Sequence, residues 1–201
     1  MNDAAEGPAP RVTIHMVASL DGFVARKDGR VDWLETKDEF LGGETLDPGF
    51  VEAFLKTIDC YVMGSHTYET AIRFAAQGFG WSYGDKPTYV LTHRTLPRIR
   101  DTVEFHAGDL AAFVKGHLRA KHRNIWVVGG GAVSGECLRL GLVDEVYYSV
   151  LPILIGDGIP FFDKLGKDVA LHLAKVRAYK NGMVELRYEV AGERGGSGSK
   201  P

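Results

Sequence analysis

The stretch Ile125-Trp126-Val127-Val128-Gly129-Gly130-Gly131-Ala132-Val133-Ser134-Gly135-Glu136-Cys137-Leu138 limits the possible architectures more than any other part of the chain. The unbroken apolar run from Ile125 to Val128 suits a strand covered on both faces, and Val133, Cys137 and Leu138 have helical spacing. Three glycines stand between the two. Without side chains the backbone lies open to a ligand, and the unpaired N–H groups that start a helix favour an anion by ~0.3–1 kcal/mol. Gly129, Gly130 and Gly131 are therefore the first candidates for ligand contact, with a tight turn needing positive φ as the competing reading.

The same grammar recurs upstream. Cys60 to Met63 reads as a buried strand that runs into Gly64-Ser65-His66-Thr67-Tyr68-Glu69, where Ser65 or Thr67 can cap the following helix. Thr88 to Leu91 is a further strand closing on Thr92-His93-Arg94, whose hydroxyl, imidazole and guanidinium suit a phosphate, although an Arg after a strand can equally be solvated. The first strand, with Val12, Ile14, Met16 and Ala18 interleaved by Thr13, His15 and Val17, is apolar on nearly both faces and so central. Asp47-Pro48 predicts a helix start with Asp47 as N-cap, and Val51, Phe54, Leu55 and Ile58 form its apolar stripe. Residues 26–47 have little periodicity and read as a functional loop; Trp33 within it is either a lid anchor or a residue packing the loop onto the core. Val103 and Phe105 mark a short strand, and Leu110, Phe113, Val114, His117 and Leu118 the stripe of an amphipathic helix. Val146 to Leu154 is a long strand, Gly156 to Pro160 a turn, and Asn181-Gly182 joins His172–Arg177 to Val184–Val190 as a hairpin. The expected class is α/β, a mostly parallel mixed central sheet with an antiparallel C-terminal hairpin and helices on both faces.

With 201 residues the chain suits one domain, expected over 11–191, with 1–10 disordered and 192–201 a flexible tail. A net charge of −2 provides no basic field for duplex nucleic acid. Cys60 and Cys137 sit in apolar stretches without metal spacing and read as reduced core thiols, which points to the cytoplasm. No apolar stretch approaches the length of a membrane span and no metal set is evident.

Residues 11–190 resemble the dihydrofolate reductase-like superfamily, in the branch similar to the C-terminal reductase domain of the bifunctional riboflavin-biosynthesis deaminase-reductase. The resemblance rests on Ser19-Leu20-Asp21-Gly22, Met63 to Glu69, Val90 to Arg94, the Val128 to Val133 turn, and Leu151 to Phe162. It implies an NADPH-dependent reductase. Val128, Gly129, Gly130, Gly131, Ala132 and Val133 would line the pyrophosphate and nicotinamide region, with a strained, cis-prone Gly-Gly bond. Gly64, Ser65, His66 and Thr67 would bind the pyrophosphate, Leu91, Thr92, His93 and Arg94 the adenosine 2′-phosphate, and Ala18 the carboxamide. Ser19, Trp33, Phe50, Phe54 and Ser149 would face the substrate. Relatives of this branch are commonly homodimers, for which Val146 to Leu154 offers an apolar surface.

Two departures separate the chain from true dihydrofolate reductases. Ala132 and Ser134 stand where those enzymes have Arg and Tyr, and their pterin-binding carboxylate is matched only by Asp47, which also reads as a helix cap, or by Glu52 one turn on. The chain is thus closer to pyrimidine-type reductases. Hydride transfer to a C=N or C=O bond of a small heterocycle needs a proton from water or from a carboxyl, for which Asp21, Asp47 and Glu52 are the candidates. Two alternatives remain: an NADP(H)-binding sensor or interaction protein without turnover, and the same cleft using a deazaflavin.

Overall fold

The strand that opens the chain becomes the centre of the sheet. β1 (Arg11–Ser19) has parallel neighbours on both sides, which is why Val12, Ile14 and Ala18 are buried and its sequence shows so little polar alternation. The computed structural model describes residues 9–192. The terminal segments expected to be disordered therefore lie outside the described residues over 1–8 and 193–201.

After β1 come β2 (Phe23–Ala25), β3 (Cys60–Gly64), β4 (Thr88–Leu91), β5 (Val103–His106), β6 (Asn124–Gly129), β7 (Glu145–Leu151), β8 (Ile159–Pro160), β9 (Leu171–Ala178) and β10 (Val184–Val190). The main sheet has the order β5-β4-β3-β6-β1-β7-β10-β9. Its strands are parallel from β5 to β7, and β10 and β9 complete it in antiparallel fashion. Gly182, at φ 78°, makes the Asn181-Gly182 turn that fixes the register of the last hairpin.

The helices are α1 (Phe50–Thr57), α2 (Ser65–Phe74), α3 (Leu110–Ala112), α4 (Arg119–Lys121) and α5 (Gly131–Arg139). A wider-wound stretch, Phe113–Leu118, joins α3 to α4, so 110–121 forms one rod whose first turn is capped by Asp109 accepting from the Ala112 N–H at 3.0 Å. Helices cover both faces. Val114 and Leu118 of this rod pack with Cys137 and Leu138 of α5 against Ile14, Val62 and Val127, while Phe54 and Tyr68 pack on the opposite face with Tyr61, Met63 and Val90.

Four local expectations need correction. Asp47 does not cap α1: its Oδ1 accepts from the Gly49 N–H at 2.7 Å, closing a side-chain turn, and Gly49 occupies the cap position. Val51, expected on the apolar stripe, is exposed, and the stripe runs through Phe50, Phe54 and Leu55 instead. Neither Ser65 nor Thr67 caps α2, because the first helical residue is already Ser65 and Gly64 precedes it. β7 stops at Leu151, and part of the expected turn at Gly156 to Pro160 is β8, paired antiparallel with β2. Among the described residues no helix is long and apolar enough to cross a membrane.

Candidate functional site

Three strand ends meet at one edge of the sheet because the strands that carry them are parallel neighbours. In the register of β3 with β4, Gly64 lies opposite Leu91; in that of β3 with β6, Met63 lies opposite Gly129 after a one-residue shift. Adjacent strands are about 4.8 Å apart, so the three ends share a rim a few such spacings wide. From this rim the two longest α-helices, α2 and α5, run back with their N-terminal N–H groups facing the same edge.

Contacts at the rim separate glycines that leave space from glycines that packing demands. A Cβ on Gly64 would lie 3.1 Å from Val133 Cγ2, one on Gly130 would lie 3.7 Å from Thr67 Oγ1, and one on Gly129 would lie 2.8 Å from Met16 Sδ. Gly129 also has φ 136°, and the Gly129–Gly130 peptide bond is cis. Gly131 differs from these. A side chain there would run into the backbone, 2.6 Å from the Pro160 carbonyl oxygen, so Gly131 holds the 160–163 loop against α5.

Beside the rim is a cleft of about 210 Å³ lined by Leu91, His93, His106, Ala107, Gly108, Leu110, Ala132, Val133 and Glu136. His106 stacks on Phe113 at 3.8 Å with the rings 11° apart, and its Nε2 is closed off from solvent without a partner among the described residues. Arg94, at the outer end of the rim, forms two bonds to Glu69, of 3.0 and 2.6 Å. Each charge reinforces the other: the Glu69 carboxyl is held below its ordinary range and the Arg94 guanidinium above its own. His66 and His93 are exposed near this pair, and Thr92 Oγ1 accepts from the Arg94 N–H at 3.0 Å. The expected cofactor residues thus share one edge, with Ala18 on the central strand beyond β6.

The expected acid residues are scattered. Asp21 ties the exit of β1 to the loop after β7: it accepts from Ser19 Oγ at 2.5 Å, from the Gly156 N–H at 2.7 Å and from the Ile155 N–H at 3.3 Å. The Ser19 hydroxyl bond, followed by those backbone N–H groups, holds its carboxyl below the ordinary range, opposite to the direction a general acid needs. Ser19 is engaged in the same knot, accepting from the Phe23 N–H at 3.1 Å. Asp47 is exposed in its turn, and Glu52 points to solvent and pairs with Lys56 at 2.8 Å.

Trp33 is 3% exposed and packs the long loop inward, with Nε1 unpartnered among the described residues. Phe50 and Phe54 are half-buried on the underside of α1, and Ser149 is buried on β7. Below α1 the sheet bears polar groups that the sequence reading did not single out. His15 Nε2 lies 3.3 Å from Ser149 Oγ, with Phe54, Trp126 and Tyr147 around its ring at 5.0, 5.7 and 5.5 Å. Burial, assisted by the positive charge of Arg187, lowers the His15 pKa from 6.5 to about 4, so the imidazole is neutral at pH 7. Glu185, opposite Ser149 in the sheet, is buried and accepts from Arg187 Nε at 2.8 Å. The available signal was an imidazole at position 15 in a central strand whose neighbours at 14, 16, 17 and 18 are all apolar.

The RibD C-terminal domain profile matches residues 10–185. The chain belongs to that family. Its relatives include the uncharacterized protein YwjB of Bacillus subtilis (strain 168), 31% identical over 178 residues covering 89% of this chain and 97% of that protein. A putative riboflavin biosynthesis protein from Shewanella sp. PV-4 superposes with a TM-score of 0.74 at 27% identity, covering 90% of this chain and 99% of that one. The fold also matches a Thermotoga maritima diaminohydroxyphosphoribosylaminopyrimidine deaminase/5-amino-6-(5-phosphoribosylamino)uracil reductase, at TM-score 0.63 and 16% identity, covering 91% of this chain and 57% of that one. This RibD C-terminal domain therefore has the dihydrofolate reductase-like mixed sheet expected from its sequence. Among the described residues it places no group of three or more His, Cys, Asp or Glu side chains to hold a metal ion.

Proposed function

We infer that the chain is an NADPH-dependent reductase acting on a C=N or C=O bond of a small pyrimidine-like heterocycle. The observation that carries this reading is the convergence of Gly64, Leu91 and Gly129–Gly130 on adjacent strand ends beside the 210 Å³ cleft. The residues present fit a dinucleotide: two helix N-termini for a pyrophosphate, backbone free of side chains at Gly64 and Gly130, and an unpartnered buried His106 Nε2 in the cleft for a purine edge. Gly64 to Thr67 and Val128 to Val133 would hold the phosphates and nicotinamide, Leu91 to Arg94 the adenosine end, and Ala18 the carboxamide. The bound cofactor supplies the hydride.

The chain's own contribution is orientation and exclusion of water. Phe50, Phe54 and Trp33 wall the substrate side and Ser149 offers a hydroxyl from β7. With Asp21 committed as an ionised clamp and Asp47 and Glu52 facing solvent, the proton comes from water entering beside α1. Those same placements favour the second reading, an NADP(H)-binding protein without turnover.

Val146 to Leu154, expected to offer a dimer surface, does not lie at a sheet edge, because β7 is paired with β1 on one side and β10 on the other. A homodimer would instead use the exposed apolar residues Leu171, Leu173 and Val176 on the edge strand β9, and the two buried free thiols fit the cytoplasm. Titration of tryptophan fluorescence with NADPH, NADH and a deazaflavin tests the cofactor. NADPH oxidation with pterins, pyrimidinones and quinones tests turnover. Saturable NADPH binding with turnover of a pyrimidinone is expected; binding with no turnover on any of them would establish the second reading.

A further inference from the structure

Between Trp33 and Ile58, which are 3% and 5% exposed, no residue of the chain is buried. The stretch 34–57 therefore has fixed ends and a loose middle, and it contains α1 as well as the long segment before it. Its far end is doubly secured. Besides the burial of Ile58, Lys86 Nζ donates to the Leu55 carbonyl at 2.6 Å, to the Lys56 carbonyl at 3.3 Å and to the Ile58 carbonyl, which closes off the last turn of α1.

The middle is fastened to the end of the last hairpin. Residues 38–44 lie along it as a strap: the Phe40 N–H donates to the Lys180 carbonyl at 2.7 Å, the Glu44 N–H to the Ala178 carbonyl at 2.8 Å, and the Lys180 N–H to the Glu44 carbonyl at 2.9 Å. The two backbones touch, since a side chain on Gly43 would run into the Tyr179 carbonyl carbon. No apolar side chain secures the strap: its Phe40 and Leu41 are 48% and 88% exposed. What remains is an ion pair at the surface, in which Arg177 Nε donates to Glu44 Oε2 at 3.0 Å. The same guanidinium lies over the Phe50 ring of α1 at 5.7 Å and the Tyr179 ring at 5.2 Å. One side chain thus joins strap, helix and hairpin.

Closure leaves two polar atoms unsatisfied at separate places. The Tyr179 hydroxyl, by Phe50, and His15 Nδ1, by Phe54, are both shut off from solvent without a partner among the described residues. Water reaching either atom removes that penalty. A segment with no buried side chain, surface hydrogen bonds and one exposed ion pair opens at low cost while the sheet stays folded. We propose that 34–57 is a lid, hinged at Trp33 and Ile58 and latched by Glu44 and Arg177, that swings strap and α1 together off the sheet face carrying His15 and Ser149. Open, it admits the second reactant; shut, it keeps bulk water from the reacting bond. The inference rests on the reductase reading for what is admitted and deepens it by giving the moving part.

Hydrogen exchange on the full chain, wild type and Glu44→Gln, tests the lid. The latch faces solvent, so removing it should quicken exchange by a small factor, about two- to fivefold, at the Glu44 and Lys180 amides of the strap and at the Ala53 amide of α1. Deuteration of the His15 ring carbon, which needs solvent at the imidazole, should quicken by the same factor. In 1 M salt the wild type should approach Glu44→Gln, and Glu44→Gln itself should not move. The Val62 amide in β3 should keep its rate throughout. Unchanged rates at Ala53 and His15, whether or not the strap quickens, overturn the inference, and so does a uniform rise that includes Val62. NADPH titration of the same samples keeps the two readings apart. No NADPH binding with the common factor present sinks the reductase reading and leaves the lid; NADPH binding without the common factor sinks the lid alone.

Discussion

Gly64 and Val133 touch across the mouth of the site, one preceding α2 and the other within the first turn of α5, with only 3.1 Å from Val133 Cγ2 to the place a Gly64 side chain would start. The Val133 methyl therefore takes up the space a Gly64 side chain would need. Gly64 has φ −84° and ψ 168°, which any residue adopts, so its small size matters for spacing and not for conformation.

That geometry separates two substitutions that look alike. Gly64→Ala should change stability by less than about 1 kcal/mol, because a valine methyl can shift by tenths of an ångström, while weakening NADPH binding at the narrowed rim. Gly131→Ala forces a methyl to within 2.6 Å of the Pro160 carbonyl and should destabilise the fold by about 1–3 kcal/mol. Urea midpoints and a fluorescence titration of the two variants check the pair.

The ion pair of Arg94 with Glu69 predicts the pattern of nucleotide choice. A 2′-phosphate can bind Arg94 only by sharing it with Glu69 or displacing it, so Arg94→Ala should weaken NADPH about tenfold more than NADH. Glu69→Gln removes the competitor and should raise the preference for NADPH. Dissociation constants for both nucleotides, at low and high salt, measure this; equal losses for the two in Arg94→Ala would place the 2′-phosphate elsewhere.

Acid should loosen the molecule through His15. Its pKa is about 4 in the folded chain against an ordinary 6.5, so between those values the unfolded chain binds a proton that the folded chain refuses. Stability is then full above pH 6.5 and falls as pH drops toward 4, by on the order of 3 kcal/mol across the window for this group alone. Urea midpoints from pH 4.5 to 7 should show a steeper decline for wild type than for His15→Gln.

Cys60 and Cys137 should be silent toward thiol reagents. Burial pushes both thiols up to about 12, so almost no thiolate exists at pH 8 and none is accessible. A disulfide-exchange reagent should titrate no thiol in the native protein and both in urea. Rapid native labelling of either would contradict their burial.

Much of the edge proposed to seat the cofactor was legible because each part announces itself within a few residues. Cys60 to Gly64 and Ile125 to Gly129 both pair an apolar run with a glycine stop, and neither needs knowledge of the rest of the chain. Asp47 was misread for a physical reason: an acidic side chain satisfies the N–H two residues on as readily in a simple turn as in a helix cap, and here Gly49 takes that bond. Gly131 was grouped with its neighbours because nothing local reveals that Pro160 will lie against it. The polar groups below α1 were hardest to see. Of residues 15, 149 and 185 only Ser149 stood out in the sequence, and only strand pairing brings it opposite Glu185 and next to His15. Sequence periodicity marks which side of a strand faces inward, but not which distant strand will lie beside it.

The contrast between the firmly set strand ends and the loosely seated α1 has a consequence for how such a chain can diversify. The strand ends proposed to hold the nucleotide are locked by parallel neighbours on both sides. Phe50, Phe54 and Trp33, proposed to wall the substrate, belong to a helix and a long connecting segment outside the sheet. On that reading, changes within 26–57 would reshape the substrate wall while the rim at Gly64, Leu91 and Gly129 keeps its place.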